Sequence, residues 1–263
     1  KSLSESDVVW DDVNKLWAVY SYKSCEAILN HPFAHIPAIS NEGLNEYALA
    51  IKNGLARLSN PPHHETAKQT ATRLFQSMKP ISIGDILYNL LEQENNLHEI
   101  DWVAVVCKKL PVLSILKSFD FSITDCDIIL DNIEQLVKIM QPQKNNEQAT
   151  NINQISKEVY QCVESHILKT SFLKEALDDL ISNNQLPIAG ILALCVSNLI
   201  GLLIKGYDAG RGILSNTLLH FLLNKDLTLP KMSDRSYVQK SVIEIVRLNP
   251  PFQNTRRVDA QSV

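Results

Sequence analysis

The sequence has little of what several common classes of functional site require. Its 263 residues carry a net charge of −4 and no long run of lysine or arginine, which disfavours a nucleic-acid or membrane-surface partner. Its five cysteines are widely spaced and form no CxxC pair, and no histidine cluster has metal-ligand spacing. The start, "KSLSESDVVW", has no apolar signal-peptide core. The sequence therefore predicts reduced cysteines, a cytoplasmic location and no metal site.

Long apolar runs are also rare. The segment "LPIAGILALCVSNLIGLLI", residues 186–204, carries no formal charge over a length close to the roughly 20 residues that a bilayer requires. However, it contains Pro187, Ser197 and Asn198 and lacks aromatic flanks. It is therefore predicted to be a helix buried inside a helical domain, and no membrane contact is expected.

Most of the chain has the pattern of amphipathic helices. Between residues 42 and 223, apolar residues recur at spacings of three and four. The opening "VVWDDVNKLWAVYSY" predicts a β-hairpin, the tail "PFQNTRRVDAQSV" is predicted to be extended, and the two ends are predicted to meet in one sheet. The polar stretch at residues 141–153 is predicted to be a surface loop. Residues 1–263 are thus predicted to form a single, mostly α domain with a small β part.

One short segment breaks the helical pattern. "LLIKGYDAGRGILSN" contains Gly206, Gly210 and Gly212, and each glycine in a helix interior costs about 1 kcal/mol relative to alanine. Either the helix ends here or another group lies close against its backbone. The segment lacks the GK[ST] ending of a phosphate-binding loop and follows a helical run, so a phosphate site is not predicted.

Four segments taken in chain order resemble a known family. They are "VVWDDVNKLWAVYSYKSCEAILNHPFA", "NPPHHETAKQTATRLF", "HEIDWVAVVCKKLPVLSILKSF" and "VIEIVRLNPPFQNTRRV". Together they are similar to the opening segment, the histidine-bearing helix, the following helix and the ExxR helix of the cytochromes P-450, the heme-thiolate monooxygenases of the soluble bacterial type. The resemblance implies a cytochrome P-450-like helical fold and heme as the cofactor.

The resemblance also assigns roles to individual residues. It implies that the long helix crosses the heme face, with Asp208 as the acid of the oxygen-activation motif and Gly210 in the place of the usual alcohol. Glycine has no hydroxyl to donate, so this departure affects proton delivery. On this reading the glycines mark a close approach of substrate and oxygen to the backbone.

Further residues match the positions that hold the heme and the fold in this family. His64 and Arg257 correspond to propionate-binding residues, and Lys68 replaces an arginine that would be a bidentate propionate partner. Glu244 and Arg247 match the ExxR pair and are expected to be structural, joined in a buried ion pair that locks their helix to a missing C-terminal segment. Accordingly, Arg247→Ala is expected to give insoluble protein.

The family's iron-ligating cysteine has no counterpart here. No cysteine follows Cys195, and the chain reaches Val263 before a glycine-rich cysteine loop. The fold is therefore expected to be C-terminally incomplete, and the chain by itself is expected not to be catalytic.

Three alternatives follow. The first is a heme-dependent monooxygenase that acts on a small hydrophobic substrate and receives electrons from a partner, with its cysteine region outside this sequence. The second is a heme-free accessory or scaffolding protein that binds a partner enzyme or a second copy of itself. The third is an unrelated α domain with a chance resemblance.

Overall fold

The computed structural model describes residues 7–94, 99–141, 144–184, 186–251 and 255–259. The chain divides into two compact units, residues 1–38 with 254–263 and residues 39–253. The single domain over residues 1–263 stays a prediction.

The smaller unit contains the predicted β-hairpin. Its antiparallel strands are β1 (Val8–Asp11) and β2 (Leu16–Val19). At the turn, the Asp11 carboxylate accepts hydrogen bonds from the backbone N–H groups of Val13 and Asn14, both at 3.0 Å. Aspartate favours such turns because its side chain satisfies backbone donors locally, which explains why "DDVNK" reverses the chain.

A helix and a second pair of strands complete this unit. Helix α1 (Tyr22–Leu29) begins where the Ser21 side chain accepts a hydrogen bond from the N–H of Ser24. Strand β3 (Ala34–His35) pairs antiparallel with β4 (Val258–Asp259). The two ends of the chain therefore do meet in a sheet, separate from the hairpin.

The larger unit is helical. Its helices are α2 (Glu46–Gly54), α3 (His63–Gln76), α4 (Ile83–Glu92), α5 (Leu110–Ser118), α6 (Ile123–Leu136), α7 (Asn146–Lys169), α8 (Ser171–Asn183), α9 (Ile188–Lys205), α10 (Arg211–Leu223), α11 (Lys225–Thr228) and α12 (Arg235–Leu248). Two segments have π-helical hydrogen bonding, the first π segment (Val103–Cys107) and the second π segment (Gly206–Gly210).

Helix α9 forms the centre of the hydrophobic core. It contacts α2, α3, α5, α7 and α8, and several of its apolar side chains, such as Leu199 and Ile200, are fully buried. A helix surrounded on most sides must be apolar on most sides, which explains the long uncharged run in the sequence.

Two polar residues of α9, Ser197 and Asn198, are buried and hydrogen-bonded to α2 and the residues that follow it. Ser197 Oγ donates to the Ala50 carbonyl at 2.9 Å. Asn198 Nδ2 donates to the Gly54 carbonyl at 2.9 Å, and its Oδ1 accepts from the N–H of Ala56 at 3.1 Å. Buried polar groups are tolerated where they are paired in this way, so these residues fix α9 in register with α2.

Residues 188–223 are long and apolar enough to cross a membrane by length and composition, and half of their most apolar window is buried within the protein. The prediction of a core helix is confirmed for α9, whose apolar residues belong to the core cluster.

The predicted loop at residues 141–153 is largely wrong. Helix α7 begins at Asn146, and Asn145 and Gln148 form a capping box in which each side chain accepts from the other's backbone N–H, at 2.8 and 3.0 Å. Behind this polar turn, Ala149 and Ile152 are buried. The polar residues are thus the cap and exposed face of an amphipathic helix. Residues 142 and 143 lie outside the described residues.

Candidate functional site

The long helix does not end at its glycines. Helix α9 runs through the second π segment into α10, with helical dihedral angles at Gly206 and at Gly210. The alternative that the helix ends here is therefore wrong, and the approach of substrate and oxygen to the glycines stays a prediction. π-Helical turns inside α-helices occur frequently at functional sites, which directs attention to this point of the helix.

The group that approaches these glycines is helix α5. A Cβ atom at Gly206 would collide with Ile115 Cδ1, and one at Gly210 would lie 2.6 Å from Pro111 Cβ. Contacts below 3.0 Å force a shift of one partner, so α5 can pack this closely only against glycine. The close packing of α5 thus explains why residue 210 is a glycine. The role of Gly210 in oxygen activation stays a prediction.

The expected acid is already engaged by an arginine on the same helix. Arg211 Nη2 lies 3.3 Å from Asp208 Oδ1, and both side chains are about two-thirds buried. The Arg211 guanidinium also lies 5.0 Å above the ring of Tyr207, a cation–π distance. The guanidinium therefore neutralises the Asp208 carboxylate from within the helix.

A second ion pair lies next to this one. Lys108, directly after the first π segment, donates to both carboxylate oxygens of Glu134 on α6, at 3.0 and 3.1 Å. This hydrogen bond raises the pKa of Lys108 and lowers the pKa of Glu134. Burial raises the pKa of the Tyr207 phenol, and the nearby Glu134 carboxylate raises it further. We name Lys108, Glu134, Tyr207, Asp208 and Arg211 the polar cluster.

Of the polar cluster, sequence reasoning identified only Asp208. Lys108, Glu134 and Tyr207 lie far apart in the chain and share no spacing or motif. Only the packing of α5 and α6 against the long helix brings them together.

The residues expected at the propionates have different surroundings. His64 Nδ1 lies 3.1 Å from the Ala56 carbonyl and 3.4 Å from Ser59 Oγ. A carbonyl only accepts, so Nδ1 carries the proton in this contact. Lys68 is exposed and lines a surface cavity of about 310 Å³ with Arg73 and residues of α3 and α8.

Arg257 belongs to the smaller unit. Its Nη1 donates to Thr255 Oγ1 and to the Arg256 carbonyl, both at 2.8 Å. It lines a cavity of about 380 Å³ together with His31 and Phe33. The same cavity is lined by Asp259, an acid that disfavours an anionic ligand, so the propionate role of Arg257 stays a prediction.

The two residues of the ExxR pair, Glu244 and Arg247, bind each other as predicted, but both are exposed. Arg247 Nε and Nη2 donate to Glu244 Oε2 and Oε1 at 2.8 and 2.6 Å. This bidentate bond lowers the pKa of Glu244 and raises that of Arg247. Yet the side chains are 54% and 65% exposed, so the described residues do not bury the pair, and its burial against a further C-terminal segment stays a prediction. Helix α12 packs on α10 and buries Ile245, which leaves these two residues facing outward.

The chemistry of the cysteines decides whether heme iron could be held. All five thiols are free. Burial raises the pKa of Cys195 and of Cys162 to about 12, so both remain protonated at neutral pH. Because the thiolate is the metal-ligating form, these residues do not fit an iron-ligand role. No group of three potential metal ligands occurs among the described residues. Lys68 and Arg257 have the charge that propionates require, but the residues present do not complete a heme site.

No profile of a known protein family matches the sequence, and no curated protein matches it either. Solved structures do match its fold, although their sequence identities are low.

The solved structure of P450BioI in complex with an acyl carrier protein ligated to hexadec-9Z-enoic acid is 16% identical and has a TM-score of 0.76, covering 97% of this chain and 68% of that chain. Ligand-free cytochrome P450 TbtJ1 is 20% identical with a TM-score of 0.75, over 97% of this chain and 66% of that chain. CYP109E1 from Bacillus megaterium, bound to testosterone, is 18% identical with a TM-score of 0.70, over 92% of this chain and 63% of that chain. The chain spans about two thirds of the length of these structures. The family resemblance of the sequence motifs thus agrees with the arrangement of the helices. The chain has the helical fold of the cytochromes P450 over that part of their length.

Proposed function

We propose that this chain is a P450-fold module that does not ligate heme iron by itself and that acts together with another polypeptide. The observation that carries the proposal is the placement of the cysteines. Cys107, Cys126 and Cys195 are buried in the packed interior, and burial raises the pKa of Cys162 and Cys195 to about 12. The Asp208–Arg211 ion pair supports it, because the acid expected to handle protons is neutralised within the helix. The proposal corresponds to a heme-free accessory or scaffolding protein.

An uncovered apolar surface supports the second half of the proposal. We name it the α10–α12 face, and its large side chains, each more than half exposed, are Leu219, Leu222, Leu223, Leu227, Leu229, Ile243 and Leu248. Extended apolar patches are uncommon on monomers and mark contact sites for other chains. A partner enzyme or a second copy of the chain would shield this face.

A second function is favoured by the cations beside the two cavities. Each of these cations, taken in its own unit, would suit a heme propionate, and the polypeptide would contribute to a heme-dependent monooxygenase in the cytoplasm. Two of the similar structures contain hexadec-9Z-enoic acid on its carrier protein and testosterone. By analogy, the substrate would be a small or medium-sized hydrophobic molecule, and an electron-transfer protein would be the partner.

The absorption spectrum separates the two functions. The purified chain is recorded alone, after addition of heme, and after reduction under carbon monoxide. We expect no Soret band of the thiolate type, because Cys107, Cys126 and Cys195 are buried and burial raises the pKa of the Cys126, Cys162 and Cys195 thiols. A thiolate-type band in the carbon monoxide spectrum would contradict the proposal and establish the monooxygenase.

The α10–α12 face can be tested without heme. We expect the chain to bind an apolar fluorescent dye or to self-associate, and Leu222→Glu with Leu227→Glu to reduce either signal. Ile123→Glu is the matched control, because Ile123 is 73% exposed and lies on α6. A monomer that binds no dye would exclude this surface as a contact site.

A further inference from the structure

The polar cluster connects three separate parts of the larger unit. Lys108 directly follows the first π segment, Glu134 lies in the last turn of α6, and Tyr207 lies in the second π segment. The Lys108–Glu134 pair ties the start of α5 to α6, and α5 is the helix packed against Gly206 and Gly210. The cluster therefore surrounds the only part of the long helix with irregular hydrogen bonding among the described residues.

Tyr207 is the buried member of the cluster. Only 4% of its surface is exposed, and its ring belongs to the main hydrophobic core. Its hydroxyl makes no hydrogen bond of regular geometry with the described residues, although the Glu134 carboxylate lies near enough to act on its titration. The outer face of the ring carries the Arg211 guanidinium, which holds Asp208. The Lys108–Glu134 pair thus joins α6 to the start of α5, and Arg211 joins Tyr207 to Asp208.

We propose that Lys108, Glu134 and Tyr207 are positioning residues that hold the second π segment, and with it Asp208, in its observed helical register. A π turn has wider hydrogen-bond rings than an α turn, so it persists where neighbouring groups favour it. Here the glycines allow α5 to approach, and the Lys108–Glu134 pair fixes the start of α5 to α6. The inference goes beyond the proposed function, because it concerns how this chain holds its second π segment, and it does not require heme.

Hydrogen exchange read by mass spectrometry tests this role in the full chain without heme. Glu134→Gln keeps the size of the side chain and removes its charge. We expect amides of residues 206–210 to lose protection by about tenfold, the fold-change of one charge-assisted hydrogen bond. Amides in the buried part of α9 should keep their protection, because their packing is unchanged.

A matched ion pair elsewhere gives the control. Arg73 on α3 and Asp179 on α8 are paired at 2.7 Å with exposures of 35% and 48%, close to the 33% and 54% of Lys108 and Glu134. Asp179→Asn should lower overall stability about as much as Glu134→Gln but leave residues 206–210 unchanged. Equal effects of both variants on these amides, or no effect of Glu134→Gln, would overturn the proposal.

A pH profile separates positioning from general support. The charged or titratable groups that face Glu134 are Lys108, Tyr207 and Arg211, and Asp208 lies beyond Arg211. Because Lys108 lowers the pKa of Glu134, its contribution is present above the unfolded pKa and is lost as the pH falls through the folded one. Protection of residues 206–210, corrected for intrinsic exchange, should therefore fall on acidification in the parent chain and stay level in Glu134→Gln. Equal profiles would reject the proposal.

A second variant keeps the test decisive if Glu134→Gln does not fold. Lys108→Gln removes the other charge of the same ion pair. It should lower the protection of residues 206–210 by a factor similar to that of Glu134→Gln, and unchanged protection would overturn the proposal. Both measurements of hydrogen exchange are independent of heme. They can therefore contradict this inference while the absorption spectrum supports the proposed function, or support this inference while the spectrum contradicts the proposed function.

Discussion

Gly210 is a residue at which packing and chemistry make different demands. An alcohol there would suit proton delivery in the resembled family, whereas Pro111 Cβ leaves no room for a Cβ atom. The helix keeps its close contact with α5 and has no hydroxyl at this position.

This conflict predicts the effect of Gly210→Ala. The added methyl group would overlap Pro111, and overpacking of this kind costs about 1 to 3 kcal/mol. Gly84 on α4 is the control, because the atom nearest to a methyl group added there, Ser82 Oγ, would be 3.9 Å away. Denaturant unfolding should show a lower free energy of unfolding for Gly210→Ala. For Gly84→Ala, the free energy of unfolding should be unchanged or higher by up to about 1 kcal/mol. Equal stability of both variants would show that α5 yields at this contact.

The exposed ExxR pair gives an opposite prediction to the one made from the motif. Arg247→Ala removes a bidentate bond that water surrounds, and such surface pairs contribute little to stability. We expect soluble protein whose melting temperature changes no more than that of Lys240→Ala, an exposed lysine on the same helix. Insoluble Arg247→Ala protein would mean that the pair is buried in the working form of the protein.

At the scale of the element, helix ends matter more than composition suggests. The Asn145 and Gln148 capping box begins α7 within a stretch that is almost entirely polar. Asn145→Ala should lower the free energy of unfolding by about 1 kcal/mol, the usual contribution of an N-cap, because a backbone N–H of the first turn loses its acceptor. Thr150→Ala, an exposed change in the same turns of the helix, should have a smaller effect in urea unfolding. A similar decrease in the free energy of unfolding in both variants would show that the capping box does not stabilise α7.

The elements also show how far the sequence could predict the structure. The hairpin, the core helix α9 and most helices follow from local periodicity and turn residues, so they could be predicted. The start of α7 could not, because a cap, an exposed helix face and a loop use the same polar residues. The π segments depend on contacts with α5, and no local pattern encodes them. Within the site, Asp208 and Glu244 were found by motif, whereas Glu134 and the exposure of the ExxR pair depend on packing.

At the scale of the whole molecule, one buried histidine predicts a pH dependence of stability. His166 Nε2 lies 2.8 Å from the Phe119 carbonyl, and the ring stacks on Phe121 at 3.7 Å between centroids. Burial lowers its pKa, so the unfolded chain binds a proton at higher pH than the folded one. Stability should therefore decline as the pH falls below about 6.5, by at most about 1.4 kcal/mol per pH unit for this proton.

The variant His166→Gln isolates that contribution. Its stability should depend less on pH between neutrality and mild acid than that of the parent chain, whereas His63→Gln, which changes an exposed residue of α3, should retain the parent slope. Unfolding curves measured at a series of pH values give the comparison. Parallel slopes for the parent chain and His166→Gln would assign the acid sensitivity to other groups.

The hydrogen bonds between α2 and α9 have a consequence for how the protein is made. Asn198 and its Gly54 acceptor are 144 residues apart, so this part of the core has high contact order and closes slowly. At a synthesis rate of about 5 to 20 residues per second, α2 waits on the order of ten seconds for its partner to leave the ribosome. During that interval the buried face of α2 lacks its final cover, which makes the nascent chain a client for chaperones that hold apolar segments.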